Sequence, residues 1–347
     1  MGNSPKSIGL TAAAAVPEEL ADVYQLAESD LAKVGEIIFS RLRHTDAVVD
    51  EILRYSFRLG GKRLRPLLVI LCAKACGEVR REHLLSAAAL EMIHTGTLVH
   101  DDILDGALFR RHLETINLRW DSQFAVLAGD LLLTRAISLI TECGSAELYP
   151  IIADACTKTC EGELMQVASS GRLDLSRAEY RRIVEGKTAA LIETACRLGA
   201  LFAKQGEKTA SLFAQFGQNI GVAFQIFDDV LDLTGTDDVT GKTLGTDLLN
   251  QKLTLPVIHY LETAPDADRE SLLALFRKPD FGTAEAALIR ARILEGDSVL
   301  FALQKANGLV EEAISLLVPY LSDVSPAQRE AVLALQSVAR FIADRNR

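Results

Sequence analysis

The sequence lacks the features that mark several classes of protein. Its 347 residues carry a net charge of −10, which argues against a nucleic-acid-binding surface because such surfaces are basic. No uninterrupted apolar run reaches the ~18–20 residues of a membrane span. The opening stretch, MGNSPKSIGLTAAAAVPEEL, has no cationic segment ahead of an apolar core, as a secretory signal requires. We therefore expect a cytoplasmic protein without a transmembrane segment.

Aromatic residues and metal-type cysteine motifs are also scarce. Aromatics make up 6% of the chain and alternating β-branched runs are rare, so helices are the expected secondary structure. The six cysteines include two CxxxC pairs, at 72/76 and 156/160, but no CxxC motif and no clustered histidines. A zinc or redox site is disfavoured, and buried thiols acting as small apolar side chains are expected.

The chain shows no repeat and no linker long enough to divide it. Residues 1–16 form an Ala-rich, predicted flexible lead, and Pro17 with two acids behind it is typical of a helix start. Helical patterns then continue to the C-terminus, broken by an irregular stretch at 106–118 and a Gly- and Asp-rich loop at 234–250. The sequence predicts an all-α protein with one domain over residues 17–347.

Two clusters of aspartates each follow an apolar helical run in the sequence. In EMIHTGTLVHDDILDGALFRR, residues 91–111, the first cluster comprises Asp101, Asp102 and Asp105. Residues four apart on a helix share a face, and like charges that close repel each other. A divalent cation removes this repulsion, and oxygen ligands suit Mg2+. One such cluster alone is equally well explained as a solvated helix end.

The second cluster repeats the same spacing with Asp228, Asp229 and Asp232 in GVAFQIFDDVLDLTG. Gln225 shares one helix face with two of these aspartates by helical periodicity. Two such clusters facing each other across a cavity could bind several Mg2+ ions, which commonly also contact substrate phosphates. The two clusters together are a far more specific signal of a metal site than either cluster alone. They predict a metal site for a phosphorylated substrate.

Basic residues lie ahead of the first cluster. Lys62 and Arg65 belong to GGKRLRP, a turn just before a helix, where cations and free N–H groups form an anion site. A solvated basic turn is the alternative. His94 lies seven residues before Asp101, two turns away on the same helix face, where a lone histidine is more often a satisfied core residue.

Together these motifs resemble those of the trans-isoprenyl diphosphate synthases, the polyprenyl synthetase family. The resemblance extends from about residue 20 to the C-terminus and implies an isoprenoid-synthase-type helical bundle around a central cavity. The corresponding segments, in family order, are GGKRLRP at 60–66, IHTGTLVHDDILD at 93–105, Arg110-Arg111, GKTA at 186–189, FQIFDDVLD at 224–232 and GKTLGTDLLNQKLTLP at 241–256.

The resemblance also implies roles for individual residues. The metal ligands would be Asp101, Asp102, Asp105, Asp228, Asp229 and Asp232, holding Mg2+, about three ions per site, with Mn2+ as an alternative. The catalytic set would be Asp101, Asp105, Asp228, Lys187 and Arg110. The isopentenyl diphosphate would be bound by Lys62, Arg65, His94 and Arg111. The allylic diphosphate would be bound by Arg110, Lys187, Thr188, Gln225, Lys242 and Lys252.

The implied activity is a prenyl transfer that makes a longer all-trans polyprenyl diphosphate from isopentenyl diphosphate and an allylic diphosphate. Three alternatives keep the fold: a geranylgeranyl or farnesyl diphosphate synthase, a terpene cyclase, and a non-catalytic partner subunit. A cyclase typically lacks the second DDxxD, and a silent subunit usually loses one aspartate motif, whereas this chain keeps both. Elongation is therefore favoured, and the resemblance implies a homodimer, with peripheral membrane contact as one route of product release.

Product length should depend on the helix behind the first cluster. A prenyl tail running back from Asp101 first meets Gly96 and Thr97, ~5.4 Å down the axis, and then Ile93 and Met92. Short-chain members of the family often carry a bulky aromatic residue at the position of Gly96 or Thr97, and none of these four residues is aromatic. The resemblance therefore implies a long product of the octaprenyl or solanesyl type, as in quinone side chains. Alternatively, the glycine merely permits close helix packing.

One segment departs from the family pattern. The arginine pair is usually followed by Gly-Lys-Pro-Thr, but here His112-Leu113-Glu114-Thr115 stands in that place. The change lies beside the predicted isopentenyl diphosphate site. We therefore expect the loop there to differ in conformation from that of other family members.

Overall fold

Three of the helices begin where the sequence supplies a capping side chain. The Asp46 carboxylate accepts the N–H groups of residues 48 and 49, and the Asp121 carboxylate accepts those of residues 123 and 124. Ser176 and Glu179 form a reciprocal capping box. Each cap satisfies backbone donors that the first helical turn leaves unpaired, so these starts could be read from the sequence.

The structure is a computed structural model, and it describes residues 17–203, 205–235, 245–322 and 324–344. Within these ranges nearly all regular structure is helical, which confirms the all-α prediction. Contacts within the chain divide it into two compact units. The prediction of one domain over 17–347 stays a prediction, and the lead at 1–16 lies outside the described residues.

The first unit comprises the described residues of Met1–Ile151, Thr194–Ala214 and Val318–Val338. Its early elements are a 3-10 turn at Glu18–Leu20, α1 (Ala21–Leu42), α2 (Ala47–Arg58), α3 (Leu64–Cys76), α4 (Arg81–Leu104), β1 (Phe109–Arg110), β2 (Leu113–Glu114), α5 (Ile116–Arg119) and α6 (Ser122–Cys143). Helices α1, α3 and α6 pack against α4. The first aspartate cluster therefore lies at the end of the central helix of this unit.

The core of this unit is built from small and aliphatic side chains. Leu67, Leu68, Val69, Ile70 and Leu71 of α3 are all fully buried. A helix that is apolar all round must be covered on every side, and each buried aliphatic side chain contributes about 1.5–3 kcal/mol. The apolar run of α4 ahead of the first aspartate cluster, which includes Leu85, Ala88 and Ala89, is likewise buried.

Among the described residues, α6 is the one helix whose length and composition would allow it to cross a membrane. Core helices of soluble proteins meet the same criterion. One face, which includes Ala128 and Leu132, is buried, and α6 packs on α4. The other face exposes Leu127 and Ile137, which are 65% and 49% accessible. The helix is thus packed on one side and apolar but uncovered on the other.

The second unit comprises the described residues of Ile152–Glu193, Gln215–Leu317 and Ala339–Arg347. The remaining elements of the chain are α7 (Leu148–Ser169), α8 (Arg177–Val184), a π-helix at Glu185–Ala189, α9 (Ala190–Leu201), α10 (Glu207–Thr234), α11 (Thr246–Leu249), α12 (Leu255–Thr263), α13 (Asp266–Phe276), α14 (Thr283–Glu295), α15 (Ser298–Leu317), a 3-10 turn at Val318–Leu321 and α16 (Pro326–Asp344). In this unit α12 packs against α15.

The stretch at 106–118, predicted to be irregular, contains a β-hairpin. Strands β1 and β2 pair antiparallel, with Phe109 opposite Glu114. The two connecting residues, Arg111 and His112, have φ values of 51° and 64°. Left-handed backbone at both central positions is typical of a type I′ turn, so the loop forms a tight hairpin although neither residue is glycine.

Candidate active site

The first aspartate cluster is divided between one buried and two accessible carboxylates. Asp102 is 2% exposed and accepts from the Arg110 guanidinium at both oxygens, at 2.9 and 3.1 Å from Nε. The Nη2 atom lies 2.8 Å from Oδ1 as well. Such a charge-assisted pair fixes both partners. Asp101 is half-buried and Asp105 is exposed, so these two carboxylates face the accessible side of the helix end.

The second cluster shows the same division. Asp229 is 4% exposed, while Asp228 and Asp232 are partly exposed. The Tyr180 hydroxyl donates to Oδ2 of Asp229 at 2.5 Å, and Gln225 Nε2 donates to Oδ1 at 2.8 Å. Burial, and then the nearby charge of an aspartate at 247, raise the pKa of Asp229 well above its usual range.

This division bears on how a metal could bind. Within the described ranges, no group of three or more His, Cys, Asp or Glu side chains could hold a metal ion by itself. Mg2+ is usually held by one or two carboxylates together with substrate phosphates and water. The accessible aspartates at 101, 105, 228 and 232 fit this mode, because each cluster offers two carboxylates and leaves the remaining ligands to a phosphorylated substrate. The metal role of all six aspartates stays a prediction.

Asp232 also organises the chain that follows α10. Its carboxylate accepts the backbone N–H of Thr246 at 3.3 Å and of Asp247 at 3.1 Å. The backbone N–H of Lys252 donates in turn to the Asp247 carbonyl at 2.8 Å. The acid at 247, which the sequence analysis did not single out, is therefore close to the second cluster. Lys242 lies outside the described residues.

Three of the predicted allylic residues meet around the π-helix. Thr188 Oγ1 donates to Gln225 Oε1 at 2.7 Å, and Lys187 Nζ lies 2.7 Å from Glu163. A π-helix is rare and is frequent at functional sites. Gly162 permits close approach of α7, because a Cβ there would lie 2.3 Å from the backbone nitrogen of Lys187. Thr188 is thus linked to the second cluster through Gln225, while Lys187 pairs with Glu163 of α7.

A cationic group surrounds His94 in the first unit. Burial lowers the pKa of His94 well below its usual range, and the positive charges of Arg65, Arg110, Arg63 and Arg111 lower it further. The imidazole is therefore neutral at neutral pH. The guanidinium groups lie close enough for their positive charges to lower its pKa. Arg65, His94 and Arg111, three of the four residues predicted to bind isopentenyl diphosphate, are brought together.

One buried acid, which the sequence analysis missed, holds this cationic group. Glu91 Oε1 lies 2.6 Å from Arg63 Nη1, and Arg63 Nη2 also donates to the Phe57 carbonyl at 2.7 Å. Burial lowers the pKa of Arg65 to about 10, and the charge of Glu91 opposes that shift. Gly61 leaves room for the Arg111 guanidinium, since a Cβ there would lie 2.2 Å from Nη2.

The predicted chain-length positions lie on α4, which packs against α6. Met92 and Ile93 are buried. A Cβ on Gly96 would lie 3.1 Å from the Gly129 carbonyl of α6, so close helix packing accounts for the glycine. Thr97 is half-buried and its hydroxyl donates to the His94 carbonyl at 2.8 Å. Control of product length by these residues stays a prediction.

Comparison with known proteins gives a consistent result. Residues 46–290 match the sequence profile described as polyprenyl synthetase. Over 329 residues the chain is 33% identical to heptaprenyl diphosphate synthase component 2 of Geobacillus stearothermophilus, covering 94% of this chain and 99% of that protein. Over 292 residues it is 35% identical to geranylgeranyl diphosphate synthase of Methanosarcina mazei, covering 79% and 88%.

A solved structure is similar over the same extent. The polyprenyl synthase from Caulobacter crescentus, crystallised with calcium and isoprenyl diphosphate, has a TM-score of 0.83 and 31% sequence identity. The match covers 94% of this chain and 98% of that one.

Proposed function

Because the chain belongs to the polyprenyl synthetase family, we propose that it elongates an allylic diphosphate with isopentenyl diphosphate in a Mg2+-dependent reaction. Members of this family are prenyltransferases that make polyprenyl diphosphates from these two substrates, and they generally use divalent metal ions. The observation that carries the proposal is the shared design of the two aspartate clusters. Each keeps its middle carboxylate buried and held, and its outer carboxylates accessible.

Asp101, Asp105, Asp228 and Asp232 would hold the metal in this proposal. When bound, Mg2+ neutralises the diphosphate that leaves the allylic carbon. Lys187 and Lys252 bind the same diphosphate and stabilise the charge that develops on it as the carbon–oxygen bond breaks. Arg110 adds a further positive charge for the leaving diphosphate, and its ion pair with Asp102 holds that carboxylate in place.

The isopentenyl diphosphate is assigned to Lys62, Arg65, His94 and Arg111. The cations around the neutral imidazole support this assignment, because a diphosphate is stabilised by several positive charges with donors in fixed directions. The left-handed turn at Arg111 also supports it, since non-glycine residues in this conformation cluster at functional sites. The double bond of isopentenyl diphosphate attacks the allylic cation and forms the new carbon–carbon bond, and the released diphosphate accepts the proton that is then lost.

The product is proposed to be long, of the octaprenyl or solanesyl type. The absence of aromatic side chains at positions 92, 93, 96 and 97 supports this length. The relatives differ, since one is named for a heptaprenyl product and the other for a geranylgeranyl product. A geranylgeranyl-length product is therefore the second candidate.

The functional assembly is proposed to be a homodimer. The uncovered apolar face of α6 supports a partner chain, because soluble proteins rarely leave a contiguous apolar surface exposed. The Geobacillus relative is named as one component of a synthase, and a heteromeric assembly is the alternative.

Metal removal tests the proposed function. The purified protein should convert labelled isopentenyl diphosphate and an allylic starter into longer diphosphates with Mg2+, and EDTA should abolish the conversion until Mg2+ is restored. Retained conversion in EDTA would refute metal dependence. Failure to incorporate isopentenyl diphosphate with any of several allylic starters would refute elongation.

A further inference from the structure

We propose that Tyr180 is a positioning residue for the second aspartate cluster, an inference that rests on the proposed function. Tyr180 belongs to α8, outside every segment that marks the family in this sequence. Its side chain is 6% exposed, and its hydroxyl donates to Oδ2 of Asp229 at 2.5 Å. A tyrosine on a neighbouring helix thus holds the buried middle acid of the motif.

The hydroxyl is one end of a continuous chain of hydrogen bonds. Asp229 accepts from Tyr180 at one oxygen and from Gln225 at the other, and Gln225 accepts from Thr188. Three elements of the second unit are joined in this way: α8, α10 and the π-helix that also carries Lys187. Because every member is satisfied, the network can fix the rotation of α10 at the position of the motif.

Rotation of α10 determines where the accessible aspartates point. Asp228 precedes Asp229 in the chain, and Asp232 follows it by three residues on the same helix. Groups that hold a metal ligand in direction typically change metal affinity or activity 10–100-fold when they are removed. Asp229 is 4% exposed, unlike Asp228 and Asp232, and its two oxygens accept from two buried side chains, so we infer that it positions the cluster rather than binding metal.

Loss of the hydroxyl should also leave the buried Asp229 carboxylate with a donor on one oxygen only, from Gln225. Without the phenol, one carboxylate oxygen is left in a buried position with no donor. The turn of α10 should then shift to bring water or another donor to it, and the accessible carboxylates should move with it.

Tyr180→Phe tests the inference with a readout other than turnover. Mn2+ binding in the presence of inorganic pyrophosphate, followed by electron paramagnetic resonance, should weaken about 10–100-fold. Tyr320→Phe is the matched control, because its hydroxyl hydrogen-bonds Thr209 at 3.1 Å in the first unit. The control should lose comparable stability and keep Mn2+ affinity. In Tyr180→Phe, kcat should fall while KM for isopentenyl diphosphate stays constant.

Unchanged Mn2+ affinity in a folded Tyr180→Phe protein would overturn the inference, as would an equal loss in Tyr320→Phe. If the wild type binds no Mn2+ with pyrophosphate, the proposed function fails as well, so the two failures are distinguishable.

A second pair of variants decides the question if Tyr180→Phe does not fold. Asp228→Asn and Asp229→Asn remove the same charge from adjacent residues of one helix. Loss of a ligand should weaken Mn2+ binding more than loss of a positioning acid, so Asp228→Asn should be the weaker binder by about tenfold or more. Equal losses in the two variants would mean that Asp229 binds the metal directly.

Discussion

Replacing Glu91 should destabilise the protein more than replacing any acid of similar size on its surface. The Glu91 side chain is 3% exposed and forms a 2.6 Å ion pair with Arg63, whose own side chain is 7% exposed. Glu91 also opposes the effect of burial on Arg65. Glu91→Ala would remove the ion-pair partner of the buried Arg63 and the negative charge that opposes the pKa shift of Arg65. A broken buried pair corresponds to about 3–5 kcal/mol of unfolding free energy.

Glu91→Gln should cost less than this. The amide oxygen can still accept from Arg63, so the loss should be about 1–2 kcal/mol, the difference between a charge-assisted and a neutral hydrogen bond. Urea unfolding followed by circular dichroism measures both variants. Glu142→Ala is the control, because Glu142 also pairs with arginines but is 37% exposed, and it should lose at most about 1 kcal/mol. If Glu91→Ala is no less stable than Glu142→Ala, the buried acid does not hold the cationic group.

Two further predictions concern the substrates. Arg65→Ala should raise KM for isopentenyl diphosphate about 10–100-fold, the loss expected for a charge-assisted hydrogen bond, with little change in KM for the allylic substrate. Arg58→Ala serves as the control, because Arg58 is exposed. Equal effects on both substrates in steady-state kinetics would contradict the assignment. Thr97→Phe should shift the main product to farnesyl or geranylgeranyl diphosphate while condensation continues, as measured by chromatography of the dephosphorylated products; an unchanged product distribution would mean that the tail does not follow α4.

Local signals in the sequence were sufficient for most of the helices. Capping residues such as Ser176 and helix-ending glycines such as Gly77 act within one turn of the chain. The spacing of the aspartates within each motif is also local. These features could be predicted because their physical cause lies within a few residues of sequence.

The roles inside each motif could not be predicted in the same way. Asp102 and Asp229 look identical to their neighbours in sequence, and their burial depends on a partner elsewhere in the chain. Tyr180 lies 49 positions from Asp229, and Glu91 lies 28 positions from Arg63. Pairs this distant are set by tertiary packing, for which neither periodicity nor spacing carries a signal.

The hairpin at 109–114 was missed for a related reason. A two-residue hairpin is usually indicated by Asn-Gly or Asp-Gly, and Arg111-His112 offers neither. The left-handed turn is maintained by its surroundings, including the Thr115 hydroxyl, which donates to the Ala107 carbonyl at 2.8 Å.

Both aspartate clusters should be required for elongation. The decisive measurement is turnover of labelled isopentenyl diphosphate by Asp101→Ala and Asp228→Ala at saturating Mg2+. The control is Asp154→Ala, because Asp154 is an exposed aspartate that pairs with Lys158. We expect both cluster variants to stay folded and to lose about 10²–10³-fold or more in kcat, with the control unchanged. Full turnover by either cluster variant would contradict the requirement for both aspartate clusters.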